Sequence, residues 1–239
     1  MLFNLGVYHH TSFLEHNCVP NCVKTWETGS MNEIRIRASV PIKKGEHLSI
    51  SYVDPLWGTA DRLNFLEMSK LFTCRCSRCI DPTELGTHVS SIRCRTLSCM
   101  NQLNEFNTMT LGLVSPTDPL AMESEWRCGT CGETYPPAAV SSIVEKVGRD
   151  LETLHEKYGN LEAQEEFIKK FSKVLSPNHF YLLELKLGLA QVYGRLADEP
   201  LHNLHPAKLI RKRLLCEQLL QVFNKMVPGM ILKILKTSR

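Results

Sequence analysis

The sequence lacks any long hydrophobic run: no segment approaches the ~20 apolar residues that a bilayer-spanning helix needs, so a helical membrane span is excluded for these residues. It also lacks a marked excess of one charge. Lys and Arg number 28 against 25 Asp and Glu, a formal +3, which supplies no electrostatic case for a nucleic-acid partner. Met1 to Tyr8 carry no basic n-region and do not read as a secretory signal, so the thiols are expected to meet a reducing, intracellular compartment, nucleus or cytoplasm. No strict internal repeat is present. With 43% hydrophobic and 22% charged residues the composition is that of an ordinary globular chain, and 239 residues allow one large domain or two small ones.

What the sequence has in excess is cysteine. Ten thiols without a signal peptide argue for metal rather than disulfides. Cys74, Cys76 and Cys79 form C-x-C-x-x-C, three thiolates that would repel one another without a cation, and a tetrahedral zinc site needs a fourth ligand from elsewhere. Cys18 is the best candidate, because Pro20 and Asn21 imply a fixed turn able to aim one thiolate; Cys22 is the rival, or else a small buried hydrophobe. A second set, Cys94-x4-Cys99 with Cys128-x2-Cys131, resembles a zinc ribbon, with redox-active thiols as the competing reading. Two closed four-cysteine zinc sites would be structural, with no open position for substrate. Eight thiolates against two divalent ions would bring the formal charge to about −1, further from any nucleic-acid binder.

Alternation divides the first part from the second. Ile34, Ile36, Ala38 and Val40 alternate with polar residues, as do Leu48, Ile50 and Tyr52, which predicts two strands with a tight connection through Pro41 and Lys44-Gly45. Cys22 to Trp26 is a further candidate strand, turning through Thr28-Gly29-Ser30. Beyond Tyr135 the period becomes helical. Val140 to Tyr158 forms one apolar face and ends at Gly159-Asn160; further helices run from Leu161 to Ser176, from Phe180 to Leu196 and from Leu209 to Met226. Short connections favour antiparallel hairpins stacked as a short helical array. The Arg211-Lys212-Arg213 run reads as a solvated face.

Three segments together, His16-Asn-Cys-Val-Pro-Asn21, Gly45-Glu-His-Leu-Ser-Ile-Ser-Tyr52 and Phe72-Thr-Cys-Arg-Cys-Ser-Arg-Cys79, resemble in order and spacing the C-terminal half of a SET domain and its post-SET segment. The variant is similar to the SET and MYND domain family of protein lysine methyltransferases, and the added knuckles Cys94 to Cys131 resemble its arthropod-type branch. The resemblance implies an α+β chain in three parts: residues 1–80 a partial SET β-fold with the post-SET zinc site, 81–135 a zinc-ribbon-like loop, and 136–239 an α-helical, TPR-like domain. It implies S-adenosylmethionine as cofactor, contacted by Ser12, His16, Asn21, Tyr52 and Phe72, with Tyr52 catalytic and a lysine-bearing protein or peptide as substrate. Taken singly, Tyr52 could be a packed aromatic, His16 a turn histidine and Phe72 an apolar cover for the metal.

Two positions depart from the family pattern. Glu15 replaces the asparagine before the motif histidine, and a carboxylate accepts hydrogen bonds but cannot donate them. Lys70 stands where a tyrosine usually lines the lysine channel, placing a cation where an amine should enter. A MYND module and the N-terminal SET half with its glycine-containing cofactor loop are not found, and the end near Pro228-Gly229 reads as a helical domain cut short, so a truncated chain is expected. The alternative reading is an inactive, zinc-stabilised interaction module whose helical region offers a groove to a protein partner.

Overall fold

The computed structural model of the chain describes residues 8–26, 33–106, 112–156, 160–196 and 200–229. After a short 3-10 turn at Thr11–Phe13 come strands β1 (Glu15–His16), β2 (Cys22–Trp26), β3 (Ile34–Ala38) and β4 (Ser49–Ile50), then helix α1 (Thr59–Lys70). β2 and β3 pair antiparallel, Cys22 opposite Ala38 and Trp26 opposite Ile34. The turn expected at Thr28-Gly29-Ser30 lies outside the described residues. β4 does not pair with β3 as a hairpin would require. It pairs in parallel with β1, Glu15 opposite Ser49 and His16 opposite Ile50. Alternation identifies a strand and leaves its partner open, and here the Pro41–Leu48 stretch is long enough to carry the chain across to β1.

α1 has no apolar periodicity to mark it in the sequence, because its inward stripe is unusual. Thr59, Arg62 and Leu66 are its buried residues, at helical spacing, yet only one is apolar. The helix ends at Leu71, held in the left-handed region at φ 61°.

β5 (Ile92–Arg93), β6 (Leu113–Pro116), β7 (Trp126–Cys128) and β8 (Thr134–Tyr135) form a four-stranded antiparallel sheet in that order, with α2 (Leu97–Phe106) in the β5–β6 connection. The sheet is tied to the helices that follow. The Arg93 amide donates to the Val174 carbonyl at 2.7 Å, Ser176 to Ser91 at 3.0 Å and Phe180 to Val89 at 2.9 Å.

Four longer helices complete the chain: α3 (Pro137–Glu156), α4 (Leu161–Phe171), α5 (Phe180–Val192) and α6 (Pro206–Met226). Tyr158 and Gly159, the expected end of the first, lie outside the described residues. α5 packs between α4 and α6 and buries Leu182, Leu183, Leu185, Leu189 and Ala190 on several sides, the pattern of a central helix. The main hydrophobic core runs from Val89 and Ile92 through the Cys94–Cys128 sheet into these helices. Two smaller clusters hold the first part: Cys18, Val53, Leu66, Cys74 and Cys79 in one, Leu14, Cys22 and Ile50 in the other. None of the described helices is long and apolar enough to cross a membrane.

The basic run on α6 is less solvated than its composition suggests. Arg211 grips the Glu165 carboxylate of α4 through both Nε (2.8 Å) and Nη2 (2.7 Å), and Lys212 donates to the Tyr193 carbonyl at 2.7 Å; Arg213 pairs with Glu217 on the exposed side. Bidentate geometry of this kind orients α6 against α4.

His179, wholly buried at the start of α5, caps that helix through Nδ1, which accepts from the Tyr181 amide. Burial drives its pKa down to about 3 against an ordinary 6.5. Because the folded form holds the ring neutral, stability from this site is present above the ordinary histidine pKa and is lost as pH falls toward 3. In a histidine NMR titration the His179 ring is expected to stay neutral from pH 7.5 to about 4; a midpoint near the ordinary value would contradict its burial.

Candidate functional site

The turn after β1 and the loop after α1 bring four sulfurs together. Cys18, Cys74, Cys76 and Cys79 all lie within 4.8 Å of one another, and Cys18 Sγ is 3.5 Å from Cys79 Sγ. Cys22 is not among them: it is buried on β2 against Leu14 and Ile50. Cys94, Cys99, Cys128 and Cys131 form a second such group, with Cys94–Cys131 at 3.7 Å and Cys99–Cys128 at 3.8 Å. For a metal–sulfur bond of about 2.3 Å, the edge of a tetrahedron is about 3.8 Å. The sulfur spacings thus suit one divalent ion in each group, and both groups could hold a metal.

The two groups differ in surroundings. In the first, Cys18, Cys74 and Cys79 are buried and Cys76 is half-buried. Hydrogen bonding from Cys18 holds the Cys76 thiol down to about 6. In the second, Cys131 is exposed, and the Thr96 hydroxyl beside it lowers its pKa to about 6. The Tyr135 hydroxyl lies 3.3 Å from Cys94 Sγ while accepting from the Arg95 amide at 3.1 Å, and the Thr130 amide donates to Cys128 Sγ at 3.4 Å. Such outer partners orient thiolates and were not readable from cysteine spacing.

Around the first group sit the residues of the motif. His16 Nδ1 accepts from the Tyr52 amide at 3.0 Å, so the proton of the neutral ring belongs on Nε2, which faces Cys18 Sγ at 3.3 Å. The His16 ring lies 5.2 Å from that of Tyr52 and 5.8 Å from that of Phe72. The Tyr52 hydroxyl donates to the Leu14 carbonyl. Lys70 Nζ stands 5.9 Å from the centre of the Tyr52 ring.

Asn21 acts as a clamp between segments. Its Oδ1 accepts from the Ser49 amide at 2.8 Å and its Nδ2 donates to the His47 carbonyl at 2.8 Å, tying the turn after β1 to β4. Ser12 lies apart from this group, exposed in the preceding 3-10 turn with its hydroxyl donating to the His9 carbonyl. Glu15 is exposed on β1 and pairs with His47 at 2.7 Å, whereas His16 next to it faces Tyr52. Successive strand residues point to opposite faces, so the carboxylate is on the far side of β1 from the aromatic group.

Beneath the first cysteine group lies a buried ionic cluster that spacing did not reveal. Arg62 of α1 and Arg78 both reach Glu84 Oε2, Arg62 Nη1 at 2.7 Å and Arg78 Nε at 3.1 Å. The two guanidiniums are fully buried and Glu84 nearly so. Glu84 sits in the left-handed region at φ 48°, within a loop organised by Asp81, whose carboxylate accepts from the Thr83 and Leu85 amides. Backbone cost at a residue without the freedom of glycine is tolerated where surrounding bonds fix it.

Comparison with known proteins agrees with the residues. A SET domain profile matches residues 4–53. The chain is 29% identical over 227 residues to the SET domain-containing protein SmydA-8, isoform A, of Drosophila melanogaster, covering 94% of this chain and 45% of that protein. It is 42% identical over 85 residues to the histone-lysine N-methyltransferase SET5 of Saccharomyces cerevisiae, covering 36% of this chain and 16% of that one. It is also 38% identical over 80 residues to the human N-lysine methyltransferase SMYD2, covering 33% and 18%. The chain therefore spans less than half the length of these relatives. The chain thus carries a SET-domain match and is similar over most of its length to SET domain-containing proteins of the SmydA type.

Proposed function

We propose that this chain carries the methyl-transfer end of an S-adenosylmethionine-dependent protein lysine N-methyltransferase, with zinc in both four-cysteine groups. The observation that carries the reading is the convergence of His16, Tyr52 and Phe72 on the Cys18 junction. In this reading residues 1–80 supply the catalytic wall, 81–135 a zinc-braced connector, and 136–239 a TPR-like helical platform against which a protein partner can rest.

Zinc at the first group would fix the turn holding Cys18 to the loop holding Cys74, Cys76 and Cys79, and so set the position of His16 two residues before Cys18. S-adenosylmethionine, when bound, supplies an electrophilic methyl carbon on a sulfonium. The protein's part is alignment of a neutral lysine amine. The Tyr52 O–H donates a hydrogen bond to the Leu14 carbonyl, which leaves the oxygen lone pairs free to accept an N–H from the amine and hold the amine's own lone pair toward the methyl carbon. Asn21 and Phe72 complete the proposed cofactor pocket, Asn21 by holding segments together and Phe72 by walling the channel, while Ser12 stands apart from it in the preceding turn.

Calorimetry with S-adenosylmethionine and a methyl-transfer assay on lysine-bearing protein test this reading. Binding heat is expected, and Tyr52→Phe is expected to spare it while lowering turnover by at least about 100-fold, the scale of losing one positioned polar group in a transition state. Absence of binding heat, or full turnover by Tyr52→Phe, would overturn the reading. A chain that binds no methyl donor but captures protein partners through α3–α6 would match the interaction module instead.

A further inference from the structure

The buried ionic cluster next to the first cysteine group does not balance its own charge. Arg62 and Arg78 contribute two positive charges and Glu84 one negative, all inside the fold. Asp61, adjacent to Arg62 on α1, has an exposed side chain and stands outside the hydrogen-bonded Arg62–Glu84–Arg78 cluster; desolvation pushes its carboxyl up, which weakens it as a counter-charge although Arg62 draws it down. A buried unit charge without a partner is costly enough that the fold must place an opposite charge nearby.

That opposite charge is the cysteine group itself. Arg62 Nη2 lies 3.6 Å from Cys79 Sγ and is steered there by the Thr59 hydroxyl at 3.0 Å. Its Nη1 is committed to the Trp57 carbonyl and Glu84, both at 2.7 Å, and its Nε has no hydrogen-bond partner. Arg78 is spent elsewhere, on Glu84 and on the Pro55 and Trp57 carbonyls at 2.8 and 3.1 Å. Four thiolates around a divalent ion carry a net charge of about −2, and they stand against the surplus positive charge of the cluster. The sulfurs of the second group meet neutral partners instead, the hydroxyls of Tyr135 and Thr96 and the Thr130 amide.

We infer that Arg62 is the electrostatic counter-charge of the Cys18–Cys74–Cys76–Cys79 metal site, a positioning residue that raises this site's affinity for a tetrathiolate-bound divalent ion. The inference rests on the zinc reading of the preceding subsection. It also makes the two sites unequal: the first is tuned by a guanidinium, the second by neutral hydrogen bonds.

The test compares wild type, Arg62→Met and Arg62→Lys, each loaded with zinc and titrated with graded chelator. Ions retained per chain are counted, and the cysteines exposed at each step are identified by alkylation. Arg62→Met leaves Glu84 and Arg78 as a one-to-one pair in a site of similar shape, and the fold of each variant is checked by circular dichroism before titration. Arg62→Met is expected to weaken the first site by about 10- to 100-fold, the usual effect of removing an outer-sphere partner, with the second site unchanged. Arg62→Lys, which keeps the charge, is expected to recover most of the loss. Unchanged affinity in Arg62→Met, an equal fall at both sites, or an Arg62→Lys chain no better than Arg62→Met would each overturn the proposal. If the wild-type Cys18, Cys74, Cys76 and Cys79 stay open to alkylation in excess zinc, the zinc reading falls and takes this proposal with it; a protected wild type with an unaffected Arg62→Met contradicts the counter-charge alone.

Discussion

Stripping metal from the reduced chain is expected to unfold the first part while the helices stay folded. The cluster that holds this part together has five buried members, Cys18, Val53, Leu66, Cys74 and Cys79, of which three are the sulfurs themselves. Without an ion to draw the sulfurs in, the cluster is left with two apolar side chains. β1 and β4 offer little to resist, being a two-residue parallel pair. Structural zinc contributes about 10–16 kcal/mol of apparent binding energy, as much as the whole stability of a typical domain. The main core, by contrast, includes Cys94, Cys99 and Cys128 but is dominated by apolar side chains, Leu182, Leu183, Leu189 and Leu215 among them at full burial. Hydrogen exchange should read the difference directly: with a strong chelator, or in Cys74→Ser, the Asn17 amide bonded to the Ile50 carbonyl loses protection, while amides of α5 keep theirs. Retained protection at Asn17 in the metal-free chain would contradict this.

The second large effect is expected for Glu84→Ala. Removing the carboxylate leaves Arg62 and Arg78 facing one another at full burial with two carbonyls, a hydroxyl and the Cys79 sulfur for partners. Breaking a buried ion pair in this way costs about 3–5 kcal/mol, and the Ser90 hydroxyl loses its acceptor as well. Chemical denaturation should report a loss of that size, whereas Arg62→Met, which balances the remaining pair, should cost far less. A Glu84→Ala chain as stable as wild type would contradict the cluster. The pH sign follows from the same geometry. Burial pushes the Glu84 carboxyl up, but Arg62 and Arg78 outweigh it and hold it below the ordinary carboxylate range. Its contribution is therefore present above that range and is lost as pH falls through the depressed value.

How much of this was legible beforehand depends on the kind of interaction. Cysteine spacing gave both metal groups, because a tetrahedral ion constrains ligand separation along the chain, and the Pro20-Asn21 turn favoured Cys18 over Cys22. Helical periodicity gave α3 to α6, whose apolar faces dominate their sequences. The parallel pairing of β1 with β4 was not legible, since strand alternation is blind to partners 34 residues apart. α1 escaped because its inward face is threonine, arginine and leucine, and the Arg62–Glu84–Arg78 cluster escaped for the same reason: a buried arginine and a solvated one are the same letter. Arg211 repeats the lesson on α6, where a run that reads as solvent-facing locks Glu165. Placing Glu15 was equally beyond spacing, because the face it occupies follows from the register of β1 with β4.

The most direct test is X-ray absorption at the zinc edge on the reduced, folded chain, paired with elemental analysis. Two ions per chain are expected, each ringed by four sulfurs at about 2.3 Å with no nitrogen or oxygen ligand. A metal content near zero, or a mixed ligand shell that leaves Cys18 outside, would break the junction on which the positions of His16, Tyr52 and Phe72 depend.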